Sequence, residues 1–235
     1  MAAIVAAILL SGCAGMRGAS EQEVNDPFEP TNRVIFNATM ALDKAVLRPT
    51  ALAYRQVVPS FVRDSLRNFL NNLGTPVIFA NDVLQGELDR AGTTLVRAGV
   101  NSTLGLGGFV DVAVRWGYVR HSEDFGQTLA IYGVGEGPYL FVPLIGPSNP
   151  RDLLGFGVDF LFDPLTYATW PSKTLWEIGR EGTDYVDLRE RNIETLDEIQ
   201  STSLDFYASV RSLYRQTRNT EIRNGAPEVE DLPNF

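Results

Sequence analysis

Cysteine and histidine, the side chains that most often act as nucleophile and base, each occur once in this 235-residue chain, as Cys13 and His121. A Ser-His-Asp or Cys-His site would therefore have to use His121. This histidine lies in the polar segment YVRHSEDFG, a setting that favours a solvated loop histidine over a proton shuttle. Single copies also exclude a thiolate cluster or a histidine-rich metal site within one chain. We therefore expect a protein that is not an enzyme, with no catalytic residue, no metal and no cofactor.

Two short matches to nucleotide-binding motifs do not extend beyond a few residues. Residues 124–126 read DFG, as in protein kinases, but the Gly-rich loop and the catalytic loop that must precede this triplet are missing. GVGEG at 133–137 follows a stretch, 128–132, that we expect to be strand-like, yet its glycines lack the G-x-G-x-x-G spacing. Pro138 then stands where a phosphate-binding helix would have to begin. The sequence predicts no nucleotide site.

The neighbourhood of Cys13 predicts a lipid anchor. Residues 2–10, AAIVAAILL, form an apolar run of the length of a secretory signal core, which is too short to span a bilayer. The following LSGCA has the pattern of a bacterial lipobox, after which the cysteine is acylated and becomes the mature N-terminus. We expect residues 1–12 to be the signal peptide and 13–24 a lipidated linker. As in outer-membrane lipoproteins, the residue after the cysteine is not Asp but Ala14.

Composition predicts one folded domain that does not bind nucleic acid. With 44% hydrophobic residues, the chain has enough apolar side chains for a core. Its formal net charge of -9 has the wrong sign for a protein that binds phosphate backbones. We expect the folded domain to comprise residues 25–224. Residues 225–235 end in APEVEDLPNF, with three carboxylates and no base, which predicts a disordered acidic tail.

Apolar residues at helical spacing cover most of the folded part. We expect a first helix over about 31–47 that ends before Pro49. In PSFVRDSLRNFLNNLG, at 59–74, the apolar residues share one helix face, Ser60 is the expected cap and Gly74 ends the helix. Further helices are expected at 76–85, 89–101 and 183–222, the last either continuous or divided near 201–203.

Two Gly- and Pro-rich apolar stretches interrupt this helical pattern. The first, NSTLGLGGFVDVAVRWG at 101–117, suits either a tight turn between helices or a flexible apolar loop beside a lipid path. The second, GVGEGPYLFVPLIGPSNPRD at 133–152, has an apolar middle at 139–145 whose glycines and prolines forbid a regular helix. Irregular backbone is tolerated at membrane depth where it is buried in protein or lines a water-containing cavity. Both stretches are therefore compatible with a passage for an amphipathic lipid.

Five stretches of the chain resemble the VacJ/MlaA family of outer-membrane lipoproteins. They extend from residue 25 to residue 218, nearly the whole mature chain, and the long stretch at 124–152 is the most specific of them. In chain order they are NDPFEPTNR at 25–33, NNLGTPVIFANDVLQG at 71–86, NSTLGLGGFVDVA at 101–113, DFGQTLAIYGVGEGPYLFVPLIGPSNPRD at 124–152 and DFYASVRSLYRQTR at 205–218.

This resemblance implies a mainly α fold: a single ring-like helical domain with irregular Gly/Pro-rich segments, embedded in one membrane leaflet around an amphipathic channel. It implies removal of mislocalised phospholipid from the outer leaflet of the outer membrane and transfer to a periplasmic carrier of the MlaC type, which maintains lipid asymmetry. The implied partners are phospholipid, that carrier and a trimeric porin, and the implied location is the periplasm-facing inner leaflet. The alternatives are a structural or adhesive lipoprotein, and a lipid-cleaving enzyme, for which the sequence offers no activated nucleophile.

The same resemblance assigns expected roles to residues of this chain. Cys13 is the expected lipid anchor. The expected entry motif of the first helix is Asn25, Asp26, Pro27, Asn32 and Arg33. The expected mobile wall of the channel is Gly105, Leu106, Gly107, Gly108 and Phe109. The expected apolar element near the pore contains Tyr139, Leu140 and Phe141. Structural caps or ion pairs, rather than head-group ligands, are expected at Asp124, Arg151 and Asp152.

Overall fold

The structure is a computed structural model that describes residues 25–226. The predicted signal peptide, the anchor at Cys13, the linker 13–24 and all but the first two residues of the predicted acidic tail lie outside the described residues. The described part is mainly helical, as predicted.

The first helix continues past the proline at which we expected it to end. Helix α1, Glu29–Leu42, passes through a π-helical turn, Asp43–Leu47, directly into α2, Arg48–Val57. The prediction of a stop before Pro49 was wrong. The π turn adds a residue just before the proline, and Arg48 N–H donates to the carbonyl of Asp43, five residues back. This local change of hydrogen-bond register accommodates the ring and the missing N–H of Pro49.

The next three helices lie where periodicity predicted them. Helix α3 is Ser60–Leu73, α4 is Thr75–Gln85 and α5 is Leu88–Thr103. Gly74 ends α3 as expected. Ser60 is the first residue of its helix rather than the cap, because Pro59 stands at the N-cap and no side chain caps this end.

The segment that we expected to be strand-like at 128–132 is helical. Helix α6 is Phe125–Ile131, and the carboxylate of Asp124 accepts from the Gln127 N–H at 2.9 Å. This cap outweighs the weak alternation of a five-residue stretch.

A hairpin replaces the irregular element expected at 139–145. Strand β1, Leu140–Val142, pairs antiparallel with β2, Gly146–Ser148, and Leu140 lies opposite Ser148. In a two-stranded sheet each strand has one edge without a partner strand, so Pro147 is tolerated although it cannot donate a hydrogen bond. Leu144 in the turn and Gly146, the first residue of β2, have positive φ.

The predicted long helical segment at 183–222 consists of parts of three helices, not one or two. These three helices are α8 at Lys173–Arg191, α9 at Ile193–Thr202 and α10 at Phe206–Ile222. Helix α7, Pro150–Phe162, lies between the hairpin and α8. Helix α8 begins ten residues earlier than expected and runs through Gly182. The second break follows Thr202, close to the weak point that we predicted, and Asp205 caps α10.

The apolar core is small and joins the two ends of the domain. It contains Phe36 of α1, Tyr139 and Phe141 of the hairpin, and Tyr207 of α10. The Phe36 ring meets the rings of Phe141 and Tyr207 edge to face, with centroids 5.2 and 5.4 Å apart. Aromatic pairs in this geometry are favourable beyond the area that they bury. The core therefore fixes the hairpin between the first and last helices.

Candidate functional site

The distribution of polar and apolar side chains is inverted relative to a soluble domain. In the described part of the chain, eight hydrophobic residues are buried, against sixteen polar or charged ones, including Asp82, Asp187, Arg189 and Glu190. Charged side chains are rarely buried in soluble proteins unless they are paired. The interior of this domain is therefore polar and held largely by hydrogen bonds and ion pairs.

Large apolar side chains instead cover much of the outside. Helix α7 exposes Leu154, Phe156, Phe160 and Leu161, and the rings of Phe156 and Phe160 meet edge to face with centroids 5.0 Å apart. Helix α8 exposes Leu175 and Ile178 to 71% and 64%. Contiguous exposed apolar surface marks contact with lipid or with another protein. Among the described residues, no helix combines the length and apolar character needed to cross a membrane.

The entry motif ties the start of the domain to the hairpin. The buried side chain of Asn32 donates to Asp26 Oδ1 at 2.8 Å and to the Tyr139 carbonyl at 3.1 Å, and it accepts from the Phe141 N–H at 3.0 Å. The Asn25 carbonyl accepts from the Tyr139 N–H at 2.8 Å. Pro27 lies in the turn before α1. One amide side chain thus completes the backbone hydrogen bonding of β1.

The same motif also ties α1 to the last helix. Asp26 Oδ2 accepts from Tyr207 Oη at 2.5 Å and from Arg211 at 2.6 Å, and Arg33 forms a bidentate pair with Asp205. Burial, followed by the hydrogen bond to Asp26, raises the pKa of Tyr207. No side chain caps α1, so this motif is a structural junction rather than a helix cap.

The hairpin residues predicted beside the pore belong to the aromatic core. Tyr139 and Phe141 are each 4% exposed, and burial raises the pKa of Tyr139. Leu140 is half-buried between them. None of the three lines either cavity described below. Their assignment to a lipid path stays a prediction, while their geometry gives them a packing role.

The glycine loop predicted as a channel wall forms a turn at the end of α5. Leu106, Gly107 and Gly108 have positive φ values of 55°, 76° and 100°. A Cβ on Gly108 would lie 2.6 Å from Asn72 Cβ, and one on Gly105 would lie 2.2 Å from the Val110 carbonyl oxygen. Glycine is therefore required here by backbone conformation and close contact. The mobility of this loop stays a prediction.

The loop rests on α3. The ring of Phe109 stacks on Phe69 with centroids 4.7 Å apart, and Asn68 donates to the Phe109 carbonyl at 3.4 Å. Leu106 at the tip is 73% exposed. Because Asn72 both contacts Gly108 and lines a cavity, the loop and the cavity wall share a side chain.

Two cavities share part of their walls, and the first of them shares Asn72 with the contacts of the glycine loop. The narrow cavity, about 30 Å³, is enclosed by α3, the start of α4, α5 and the segment after the 3₁₀ turn Ala113–Trp116. The wide cavity, about 470 Å³ and open to solvent, lies between α5 and residues 117–121. Both cavities are lined by Arg120 and His121. These two residues are therefore part of both walls, and we call them the neck.

The wall of the narrow cavity carries an amide stripe that we did not single out from the sequence. Asn68, Asn71 and Asn72 line it at the spacing i, i+3 and i+4 of one face of α3, and Thr75, the first residue of α4, continues the lining. The spacing is visible in NFLNNLGT, but we used only the apolar residues of the opposite face to predict this helix. Side chains that read as a solvated face thus line an internal space.

His121 is not the solvated histidine that we predicted. Its Nε2 lies 2.9 Å from Asp82 Oδ1 and 3.2 Å from Thr94 Oγ1, and Thr94 donates to Asp82 Oδ2 at 2.6 Å. In a catalytic triad the carboxylate and the hydroxyl contact opposite nitrogens of the ring. Here both contact the same nitrogen, so the imidazole cannot relay a proton between them. This cluster is a structural junction of α4, α5 and the neck.

Asp124, Arg151 and Asp152 are structural, as expected. Arg218 donates to both oxygens of Asp124 at 2.6 Å and contacts Asp152 at 2.9 and 3.0 Å. Burial opposes ionisation, but the hydrogen bonds from Arg218 prevail and the pKa of both aspartates is lowered. Arg151 pairs with Asp152 at 3.0 Å. The half-buried Asp159 accepts from Asn81, and its partial burial raises the pKa of Asp159 to about 6.

Comparison with known proteins gives consistent matches across the whole domain. The profile of the MlaA lipoprotein family matches residues 24–221. An intermembrane phospholipid transport system lipoprotein MlaA from Shigella flexneri is 34% identical over 230 residues, which cover 96% of this chain and 89% of that protein. An uncharacterised protein from Rickettsia bellii is 34% identical over 203 residues, 86% of this chain and 78% of its own.

A solved structure has a similar fold. It comes from work on the structural basis for maintenance of bacterial outer membrane lipid asymmetry. The two structures superpose with a TM-score of 0.76 at 32% sequence identity, covering 84% of this chain and 98% of the other.

Proposed function

The chain belongs to the MlaA lipoprotein family, and we propose that it moves phospholipid between membranes and so maintains the lipid asymmetry of the bacterial outer membrane. The family of transport lipoproteins, the Shigella flexneri relative and the similarity to a structure concerned with outer membrane asymmetry support this function. Location in the outer membrane follows from the same relationship.

The single observation that carries the proposal is the inverted burial. A protein that moves an amphipathic lipid while it sits in a membrane needs an apolar outside for the surrounding acyl chains and a polar inside for the head group. The described residues have that arrangement, with sixteen buried polar or charged residues and exposed apolar faces on α7 and α8. An adhesive or purely structural lipoprotein has no need of a polar interior with cavities.

The finer steps of the proposal concern the route and its ends. The domain sits as a ring in the periplasm-facing inner leaflet, held by acyl chains on Cys13 and associated with a trimeric porin. Phospholipid from the outer leaflet enters an amphipathic channel beside residues 105–109 and leaves for a periplasmic carrier of the MlaC type. Several acyl chains on the anchor would give firm attachment, since one chain binds a membrane only marginally.

Cleavage of the phospholipid, instead of its transport, is the weaker alternative. The only histidine of the chain has its Nε2 beside both Asp82 and Thr94, which leaves no relay to an activated hydroxyl. The family to which the chain belongs is one of transport lipoproteins. Release of fatty acid or lysolipid by the purified protein would favour cleavage instead of transport.

Gly108→Ala is the sharpest test of the transport path. At φ +100°, with Asn72 Cβ 2.6 Å from the added methyl group, alanine must shift both the loop and the cavity wall. We expect a strain lacking the protein to accumulate phospholipid in the outer leaflet, and this variant to fail to reverse the accumulation although it is made and localised normally. The assay is outer-leaflet phospholipid content with equal protein levels verified in the membrane fraction.

Gly99→Ala is the matched control, because a methyl group on Gly99 of α5 meets nothing within 4 Å. We expect it to complement like the parent protein. If deletion leaves the surface phospholipid unchanged, the transport function is wrong and a structural or adhesive lipoprotein becomes the better account. If both variants complement fully, the route beside residues 105–109 is wrong while transport itself stands.

A further inference from the structure

The lining of the wide cavity is cationic in an otherwise acidic protein. The whole chain has 29 aspartates and glutamates against 20 lysines and arginines. The cavity wall nonetheless contains two arginines and no carboxylate among its eight residues: Arg90, Thr93, Gly117, Tyr118, Val119, Arg120, His121 and Asn224. A concave surface lined by one sign of charge concentrates ligands of the opposite sign. This lining therefore suits an anionic group.

Arg120 differs from the other cations around the neck, because each of those is already paired. Arg90 contacts Glu123, Arg97 contacts Asp111 at 2.7 Å, and Arg191 contacts Asp187 at 3.1 Å. In the described part of the chain, the guanidinium of Arg120 forms neither a hydrogen bond nor an ion pair within 4 Å. The protein thus carries one uncommitted guanidinium at this point.

The surroundings of Arg120 combine solvent access with enclosure. The residue is exposed to solvent, yet it lies within the domain at the neck of two cavities. Enclosure by the protein, followed by repulsion from Arg97 and Arg191, lowers the pKa of Arg120. An anion beside the guanidinium would relieve that repulsion.

Beyond the neck, the narrow cavity offers further polar groups. Within residues 25–226, the side chains of Asn71 and Thr75 line this cavity without a hydrogen-bond partner from the protein. At about 30 Å³ the narrow cavity has room for a few water molecules, whereas the wide one, at about 470 Å³, has room for a phosphate and its substituents. A head group approaching from the wide side would therefore stop at Arg120.

We propose that Arg120 binds the phosphate of a phospholipid in the wide cavity, at the neck that leads to the amide-lined narrow cavity. The planar guanidinium fork matches two phosphate oxygens and can donate to both at once. Every glycerophospholipid carries this phosphodiester, so Arg120 recognises the class rather than one head group. This inference rests on the proposed transport of phospholipid and names the residue that holds the lipid on its way.

The test compares ligand binding by the full-length, lipidated protein in a non-ionic detergent. The probes are dihexanoylphosphatidylglycerol, dihexanoylglycerol with the same chains but no phosphate, and inorganic phosphate, each titrated by calorimetry. The variants are Arg120→Gln, Arg120→Lys and the control Arg115→Gln. Arg115 is an exposed arginine five residues away that lines neither cavity.

We expect Arg120→Gln to weaken phosphatidylglycerol binding by about tenfold or more, because the variant loses the charged hydrogen bonds to the phosphate. Binding of dihexanoylglycerol, which has no phosphate, should be unchanged. Arg120→Lys keeps the charge but loses the fork, so it should retain part of the affinity. Arg115→Gln should bind like the parent. All four proteins should unfold at the same temperature, because Arg120 forms no hydrogen bond within the described part of the chain.

Each contrary outcome overturns a different statement. Equal phosphatidylglycerol affinity for Arg120→Gln and the parent overturns the role of Arg120 and leaves the transport function standing. Inorganic phosphate that binds the parent as tightly as the lipid, and loses affinity in Arg120→Gln, identifies a free-anion site and overturns the lipid assignment. A parent protein that binds neither lipid contradicts the proposed function itself.

Discussion

At the level of single residues, arginine and carboxylate pairs hold the interior of this domain together. Arg67 reaches Asp187 of α8 in a bidentate contact at 2.8 and 3.0 Å, and Arg189 reaches Asp43 in the π-helical turn at 2.7 and 3.0 Å. Such bidentate contacts are among the strongest hydrogen bonds in proteins. Buried ion pairs determine which elements pack together more than they add net stability, because the cost of desolvation offsets most of the attraction. Removing one partner of a pair is therefore more harmful than the pair is beneficial.

Arg218→Gln should destabilise the protein by about 3–5 kcal/mol, because it removes the cation that the half-buried Asp124 and Asp152 share and leaves only Arg151 to pair with Asp152. The control is Arg215→Gln, one turn earlier on α10, whose pair with Glu136 is partly exposed and should be worth about 0–1 kcal/mol. The measurement is the midpoint of unfolding in detergent at neutral pH. Equal midpoints for the two variants would contradict the role given to Arg218.

At the level of elements, direct backbone contact joins α6 and α7. Gly155 of α7 faces Gly126 of α6, and an added Cβ on Gly155 would lie 2.3 Å from the Gly126 nitrogen and 2.7 Å from its Cα. Gly126 in turn leaves space for Arg218 and Asp152, since a Cβ there would lie 2.6 and 2.7 Å from their side chains. Two glycines thus allow these short helices to approach closely enough to form the ion-pair cluster.

Gly155→Ala should destabilise the protein by roughly 1–3 kcal/mol, because the neighbour that must move is backbone and cannot rotate away. Gly157→Ala on the same helix meets nothing within 4 Å, so higher helix propensity should stabilise it by about 0.5–1 kcal/mol. The experiment compares both variants with the parent by thermal unfolding in detergent. Opposite signs are expected, and a neutral Gly155→Ala would refute the close approach of α6 and α7.

At the level of the whole molecule, the outer surface is suited to lipid. All three tryptophans of the chain, Trp116, Trp170 and Trp176, are exposed, at 57%, 36% and 39%. Trp176 also contacts Phe69 edge to face, which places it beside the aromatic stack under the glycine loop. Exposed tryptophan is typical of proteins at a membrane interface, where the ring meets both lipid and water.

Tryptophan fluorescence of the full-length protein should be quenched in vesicles of lipids brominated on their acyl chains, because the proposed embedding places the exposed rings against those chains. The reference is the same protein in vesicles of unbrominated lipid, and single-tryptophan variants assign the signal to positions. Little quenching by brominated lipid, with efficient quenching by acrylamide from water, would contradict the embedding and indicate a surface covered by solvent.

The sequence alone determined the parts that depend on neighbouring residues. Helices α3, α4 and α5 were predicted close to their observed limits, because apolar spacing and the stop at Gly74 act within a few residues. The mainly α class and the family followed from local motifs of the same kind. The structural role of Asp124 was also readable, since an aspartate three residues before a free N–H is a local cap.

Only the tertiary structure decided what depends on distant partners. The helix passes through Pro49 by a π turn whose Asp43 pairs with Arg189, 146 residues away, and the hairpin is completed by Asn32 from another element. His121 and the amide stripe of α3 look like solvated polar positions in sequence, but the packing of α3, α4 and α5 encloses them around a cavity. In a protein with this inverted burial the usual inference from polarity to exposure fails, because polar groups satisfy one another inside through distant partners that the sequence does not reveal.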